Sequence, residues 1–65
     1  MFDRNKMRSR RLEMGISQSE LSEWMETCVA NICRIEKGTT KLPRKTTINK
    51  IAFFLELEPE DLMMP

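Results

Sequence analysis

Glycine occurs at only two positions, 15 and 38, and each directly follows a run of apolar residues at helical spacing. A glycine enters the left-handed conformation that ends a helix without steric cost, so these two residues read as helix stops. Before Gly15, Met7 and Met14 recur at helical spacing with Leu12 and the stem of Arg11, which predicts a first helix from Asp3 to Met14. Before Gly38, the spacing of Val29, Ile32 and Ile35 predicts a third helix over Val29 to Lys37. Between the stops, Ser17 and Glu20 form a capping-box pair, and Leu21, Trp24 and Met25 give the apolar stripe of a second helix from about Gln18 to Met25. Thr39 to Pro43 is a polar, proline-ended loop. After it, Ile48, Ile51, Ala52 and Leu55 describe a fourth helix with Phe53 and Phe54 on its flanks. Pro59 suits the first position of a last short helix, Glu60 to Met63. There is no strand signal, repeat or linker, so residues 1–65 read as one compact all-α domain of five short helices.

Size and composition exclude several functions. A chain of 65 residues buries only about 60% of its unfolded surface, which leaves no room for a deep cleft. No small-molecule ligand and no cofactor are therefore expected. Histidine and tyrosine are absent, there is no glycine-rich phosphate loop, and no carboxylate pair is sited in an evident pocket, which speaks against an enzyme. The longest apolar run, Ile51 to Leu55, is far short of the roughly 20 residues of a membrane span, and the N-terminus is charged from Asp3 onward. A cytoplasmic protein is expected. Cys28 and Cys33 cannot make a structural zinc site, and on one helix they would sit about 140° apart around the axis, which disfavours a disulfide between them. They read as ordinary thiols in a reducing compartment, with a redox or intermolecular role as the alternative.

Net charge is only +1, but it is distributed in blocks: residues 1–11 carry +4, 12–33 carry −4, 34–50 carry +5 and 51–65 carry −4. Brought together in space, the two basic blocks would make the positive face that a phosphate-binding surface requires. The second and third helices, joined by a few residues, have the layout of a helix-turn-helix spanning Gln18 to Lys37. Ser22 is small where the two helices must cross. Leu21, Met25, Ile32 and Ile35 face inward, which leaves Val29, Ala30, Cys33 and Arg34 on an exposed face of the third helix.

Gly15-Ile16-Ser17-Gln18, Glu20-Leu21-Ser22, Ile32 and Arg34-Ile35-Glu36-Lys37-Gly38 resemble, without a gap, the helix-turn-helix of the Cro/C1-type (XRE-like) family of lambdoid phage repressors. The likeness extends back through Lys6-Met7-Arg8-Ser9-Arg10-Arg11 and forward through Lys41-Leu42-Pro43-Arg44, nearly the whole chain. It implies a lambda-repressor-like fold and a bacterial or phage-type transcriptional regulator, a repressor or an activator, whose partner is double-stranded DNA. It further implies that Gln18 binds a phosphate at the start of the second helix, helped by backbone amides and by Ser17. Arg11 and Glu36 match a pair that ties the first helix to the end of the third and keeps Arg11 close to the phosphates. Lys41 and Arg44 match loop positions that grip the backbone across the groove, or else are solvated loop charges.

For base readout, better-known relatives present glutamines where this chain has Val29 and Ala30. Those two can contact a thymine methyl, with Asn31, Cys33 and Arg34 beside them, and Arg34 is the first candidate for a guanine. The alternative for Arg34 is a salt bridge to Glu20 or Glu23. Two further departures concern the turn. Glu26 stands where glycine is usual, in a left-handed conformation or a slightly different turn. Cys28 stands where Ser or Thr usually caps, so Thr27 offers an alternative cap that would shift the helix start by one residue. Trp24 is either a cover over the core edge or the mark of a partner surface. The apolar C-terminal cluster Phe53, Phe54, Leu57, Leu62, Met63 and Met64 suggests a homodimer through the C-terminal helices, with an inverted repeat as operator. The rival function is a protein-interaction module whose DNA face has decayed.

Overall fold

The computed structural model describes residues 1–64. Four α-helices and a terminal turn follow one another: α1 Arg4–Glu13, α2 Gln18–Trp24, α3 Val29–Lys37, α4 Lys45–Phe54, and a 3-10 turn over Pro59–Leu62. All four α-helices fall where periodicity puts them. The fifth segment differs in kind, being a 3-10 turn with Pro59 in its first turn rather than an α-helix. Four residues can close the tighter hydrogen-bonded ring of a 3-10 turn but are too few to propagate an α-helix.

Local chemistry fixes the ends. Asp3 caps α1, its side chain accepting from the Lys6 amide at 3.0 Å. Ser17 and Glu20 form the reciprocal capping box at the start of α2, with bonds of 3.0 and 3.1 Å. Gly15 and Gly38 both adopt positive φ, and Gly38 closes α3 in the left-handed conformation. Glu26, in the turn between α2 and α3, has φ of 55°, so the left-handed geometry is kept without the glycine. Glu56, after α4, does the same with φ of 57°, a strain that nothing in the composition of that segment announces. Thr27 does not cap: α3 starts at Val29 behind Cys28, which makes no side-chain capping bond, and Thr27 Oγ1 instead accepts from Asn31 Nδ2 at 2.8 Å.

The core gathers one stripe from each helix. Met7, Leu21, Ile32, Ile51, Leu55 and Leu62 are fully buried, with Phe2, Ile16, Met25, Ile35, Ile48 and Ala52 around them. Each of these side chains larger than Ala52 contributes roughly 1.5–3 kcal/mol of hydrophobic stabilisation. Leu12, expected on this stripe, is 55% exposed. Five positions after Met7 it lies about 140° around the helix, whereas Arg11 falls on the buried line. The chain ends meet: Phe2 and Met63 form an isolated antiparallel bridge, and the Asp3 amide donates to the Leu62 carbonyl at 2.6 Å. That contact joins segments some 60 residues apart and closes the domain over Phe2. Among the described residues no helix is long and apolar enough to cross a membrane.

Candidate nucleic-acid interface

The α2 and α3 helices pack closely because Ser22 is small and buried at their crossing, and its hydroxyl is satisfied by the Ser19 carbonyl at 2.7 Å. Ile32 and Ile35 anchor α3 from below. Its outer surface then presents Val29, Ala30, Asn31 and Arg34, all exposed, with Cys33 half-buried beside them. Cys28 and Cys33 are both free thiols. With its side chains an α-helix is about 10–12 Å across, which fits the roughly 12 Å width of the major groove of B-DNA, and the nine residues of α3 run about 14 Å along it. A surface helix seated on a short left-handed turn, with no acid on its outer face, is the arrangement of a helix-turn-helix.

A family model described as a Cro/C1-type HTH DNA-binding domain matches residues 6–64. The chain belongs to that family. No curated protein and no solved structure is significantly similar to it. As a Cro/C1-type domain it is a DNA-binding protein of the transcription-regulator class, and its remaining geometry bears on how it holds its helices.

One polar cluster ties the domain together. Arg11 Nε donates to Glu36 Oε2 at 2.8 Å and Arg11 Nη2 to Glu36 Oε1 at 3.1 Å, a bidentate pair between side chains only 8% and 4% exposed. The third donor, Arg11 Nη1, reaches the Ile16 carbonyl at 2.8 Å. Gln18 joins from the start of α2, its amide nitrogen donating to Glu36 Oε1 at 3.2 Å. The cluster thus fastens α1, the Gly15–Ser17 turn, the N-terminus of α2 and the C-terminal end of α3 to one carboxylate. Since an amide nitrogen has two hydrogens, Gln18 keeps one free for a second acceptor. Among the described residues no buried side-chain polar atom is left without a partner.

Arg34, for which a salt bridge to Glu20 or Glu23 was the alternative, makes neither contact among the described residues; its Nη1 donates to Asn31 Oδ1 at 2.8 Å. Thr27, Asn31 and Arg34 therefore form a chain of side-chain hydrogen bonds along the exposed surface of α3. Lys41 and Arg44 are exposed in and after the loop that follows. Arg44 lines a depression of about 470 Å³ together with Asn31, Thr40, Thr47 and Lys50. Thr47 and Lys50 escaped the sequence reading, although positions 44, 47 and 50 recur at the three-residue spacing of one helix face.

The first basic block is only partly available to a ligand. Arg4 donates to the Lys37 carbonyl at the end of α3, and Arg10 donates to the Leu55 carbonyl at 2.9 Å while pairing with Glu13 at 3.3 Å and Glu56 at 3.7 Å. With Arg11 committed to Glu36, three of its five basic residues serve as side-chain caps or ion pairs inside the domain. Cations at helix C-termini satisfy carbonyls that no longer have an intrahelical partner. A count of charges cannot separate this use from phosphate binding.

Proposed function

We propose that this protein is a sequence-specific transcriptional regulator that lays α3 in the major groove of double-stranded DNA and binds an inverted repeat as a dimer. The observation that carries the reading is the outer surface of α3, where Val29, Ala30, Asn31 and Arg34 are exposed and the helix's one acid, Glu36, is neutralised by Arg11. Val29 and Ala30 suit thymine methyl groups, Cys33 sits at the edge of the same surface, and Arg34 is the side chain able to address O6 and N7 of a guanine. Asn31 orients Arg34 and can itself contact a base edge.

Phosphate contacts frame the reading helix. Gln18 and Ser17 stand at the N-terminus of α2, where the free amide hydrogen of Gln18 and the first backbone amides favour an anion. Arg11, committed to Glu36, acts here through position: it fixes the carboxylate to which the Gln18 amide is bonded. Lys41 and Arg44 grip the backbone on the other side of α3. Dimerisation is supported by an apolar groove of about 700 Å³ floored by Pro43 and Ile48 and edged by Leu42, Pro59, Met63 and Met64. Lys45 and Glu60 on its rim are of opposite charge, so a twofold copy brings each against the other. The groove borders the Lys41–Arg44 segment, and a copy seated there sets its own α3 along the same DNA.

The roles separate in a titration of single variants. Arg34→Ala is expected to weaken binding to the selected site by about 10- to 100-fold more than binding to random DNA, the value of one bidentate base contact. Gln18→Ala and Lys41→Ala weaken both kinds of DNA to the same degree. Equal losses of specificity from all three variants would overturn the assignment.

A further inference from the structure

A second exposed surface lies where α2 and α4 end. Trp24, Phe54 and Phe53 stand side by side, with ring centroids 6.0 Å apart for the first pair and 5.1 Å, edge to face, for the second. Phe54 packs partly against the core, but Trp24 is 43% and Phe53 75% exposed. With Glu26 and Lys50 on its border, the trio lines a shallow depression of about 380 Å³ to which α3 contributes no residue. Contiguous aromatic surface left in water next to a polar border has the make-up of a contact site, unlike a single exposed side chain.

Charge decides what such a site accepts. Glu20 lies one helical turn before Trp24 on the same side of α2, Glu23 is its neighbour, and Glu26 follows in the turn, whereas Lys50 is the one cation bordering the depression among the described residues. DNA phosphates are repelled by this border. A second copy docked about a twofold axis would set three acids, Glu20, Glu23 and Glu26, against a single lysine, Lys50, from each side, so most of the charges meeting across the interface would be alike. A basic partner meets no such penalty.

We propose that the Trp24–Phe53–Phe54 platform docks a segment of another protein, an apolar anchor flanked by lysines or arginines. The anchor rests between the Trp24 and Phe53 rings while the flanking cations face Glu20, Glu23 and Glu26. Tryptophan at the centre of a partly desolvated patch is the usual source of binding energy in such contacts. The inference does not rest on the DNA-binding reading, and either can fail alone.

Trp24 is the only tryptophan in the chain and reports directly on the platform. The probe is a short amphipathic peptide of lysine and leucine, free of aromatic residues, compared with its glutamate–leucine counterpart and with a lysine–leucine peptide whose leucines are dispersed. The amphipathic basic peptide is expected to shift Trp24 emission to the blue, to shield it from acrylamide and to saturate. Phe53→Ser, at an exposed position outside the core, weakens that binding by about tenfold or more, and Glu23→Lys weakens it severalfold. No saturable response would overturn the proposal, as would an equal response to the acidic or dispersed peptide or full binding by Phe53→Ser. Conversion of a dimer to a monomer by Phe53→Ser in sedimentation would assign the platform to a second copy and overturn it equally.

Discussion

Removal of the Glu36 carboxylate tests whether the polar cluster holds the domain together. In Glu36→Ala the Arg11 guanidinium loses two hydrogen bonds, of 2.8 and 3.1 Å, and keeps only the Ile16 carbonyl, while Gln18 loses its acceptor. The Arg11 side chain is 8% exposed, so water does not replace the lost partner without local opening. Breaking a buried pair from one side costs about 3–5 kcal/mol. A domain of this size has roughly 3–10 kcal/mol of stability in total, at about 0.05–0.15 kcal/mol per residue. Glu36→Ala should therefore lower Tm by tens of degrees, at roughly 4–8 °C per kcal/mol, or leave the chain largely unfolded at room temperature. Urea unfolding followed by far-UV circular dichroism and Trp24 fluorescence measures it. The double variant Arg11→Met/Glu36→Leu, which strands no charge, is expected to fall within about 1–2 kcal/mol of the wild type. A loss below about 1 kcal/mol for Glu36→Ala, the range of an exposed ion pair, would refute the claim that this carboxylate is a buried fastening.

Two left-handed positions should respond with opposite signs. Glu26 holds φ of 55° without being glycine, so Glu26→Gly relieves strain and should raise stability by about 0.5–1 kcal/mol in chemical denaturation. Gly38 holds φ of 86°, and a Cβ there would run into the Arg4 guanidinium that caps α3, so Gly38→Ala should cost about 1–2 kcal/mol and free Arg4 from the Lys37 carbonyl, measured in the same denaturation.

What could be read from the sequence was what is local. Gly15, Gly38 and the Ser17–Glu20 pair mark helix ends by interactions that span no more than five residues, and apolar spacing places Leu21, Ile32, Ile35, Ile48 and Ile51 in the core. Arg11 and Glu36 are 25 positions apart, and no periodicity links them; only the resemblance to Cro/C1-type domains set them side by side. Phe2 escaped notice because its burial depends on a bridge to Met63, which a local pattern cannot announce. Leu12 misled because a short helix offers few apolar residues to fix its phase, and the buried position went to the aliphatic stem of Arg11. The basic block at the N-terminus misled in part for a related reason: Arg4 and Arg10 find carbonyls at the ends of α3 and α4, and that depends on the fold being assembled. In the interface, the exposure of Val29, Ala30 and Arg34 followed from the phase of α3, and the Asn31–Arg34 hydrogen bond is a local contact three residues apart, whereas the placing of Thr47 and Lys50 beside Asn31 required the packing of α4 against the turn.

Whether α3 reads DNA between two sets of phosphate contacts is decided by an anisotropy titration of the protein against the DNA upstream of its own gene, at 50 and 200 mM salt and with random-sequence competitor. Two cations in each of two copies, Lys41 and Arg44, correspond to about four neutralised phosphates and to a loss of roughly 10²-fold in affinity between the two salts. Tight binding that falls by about this factor and survives the competitor is expected. Absence of binding at 50 mM salt, or binding abolished by an equal mass of competitor, would contradict it.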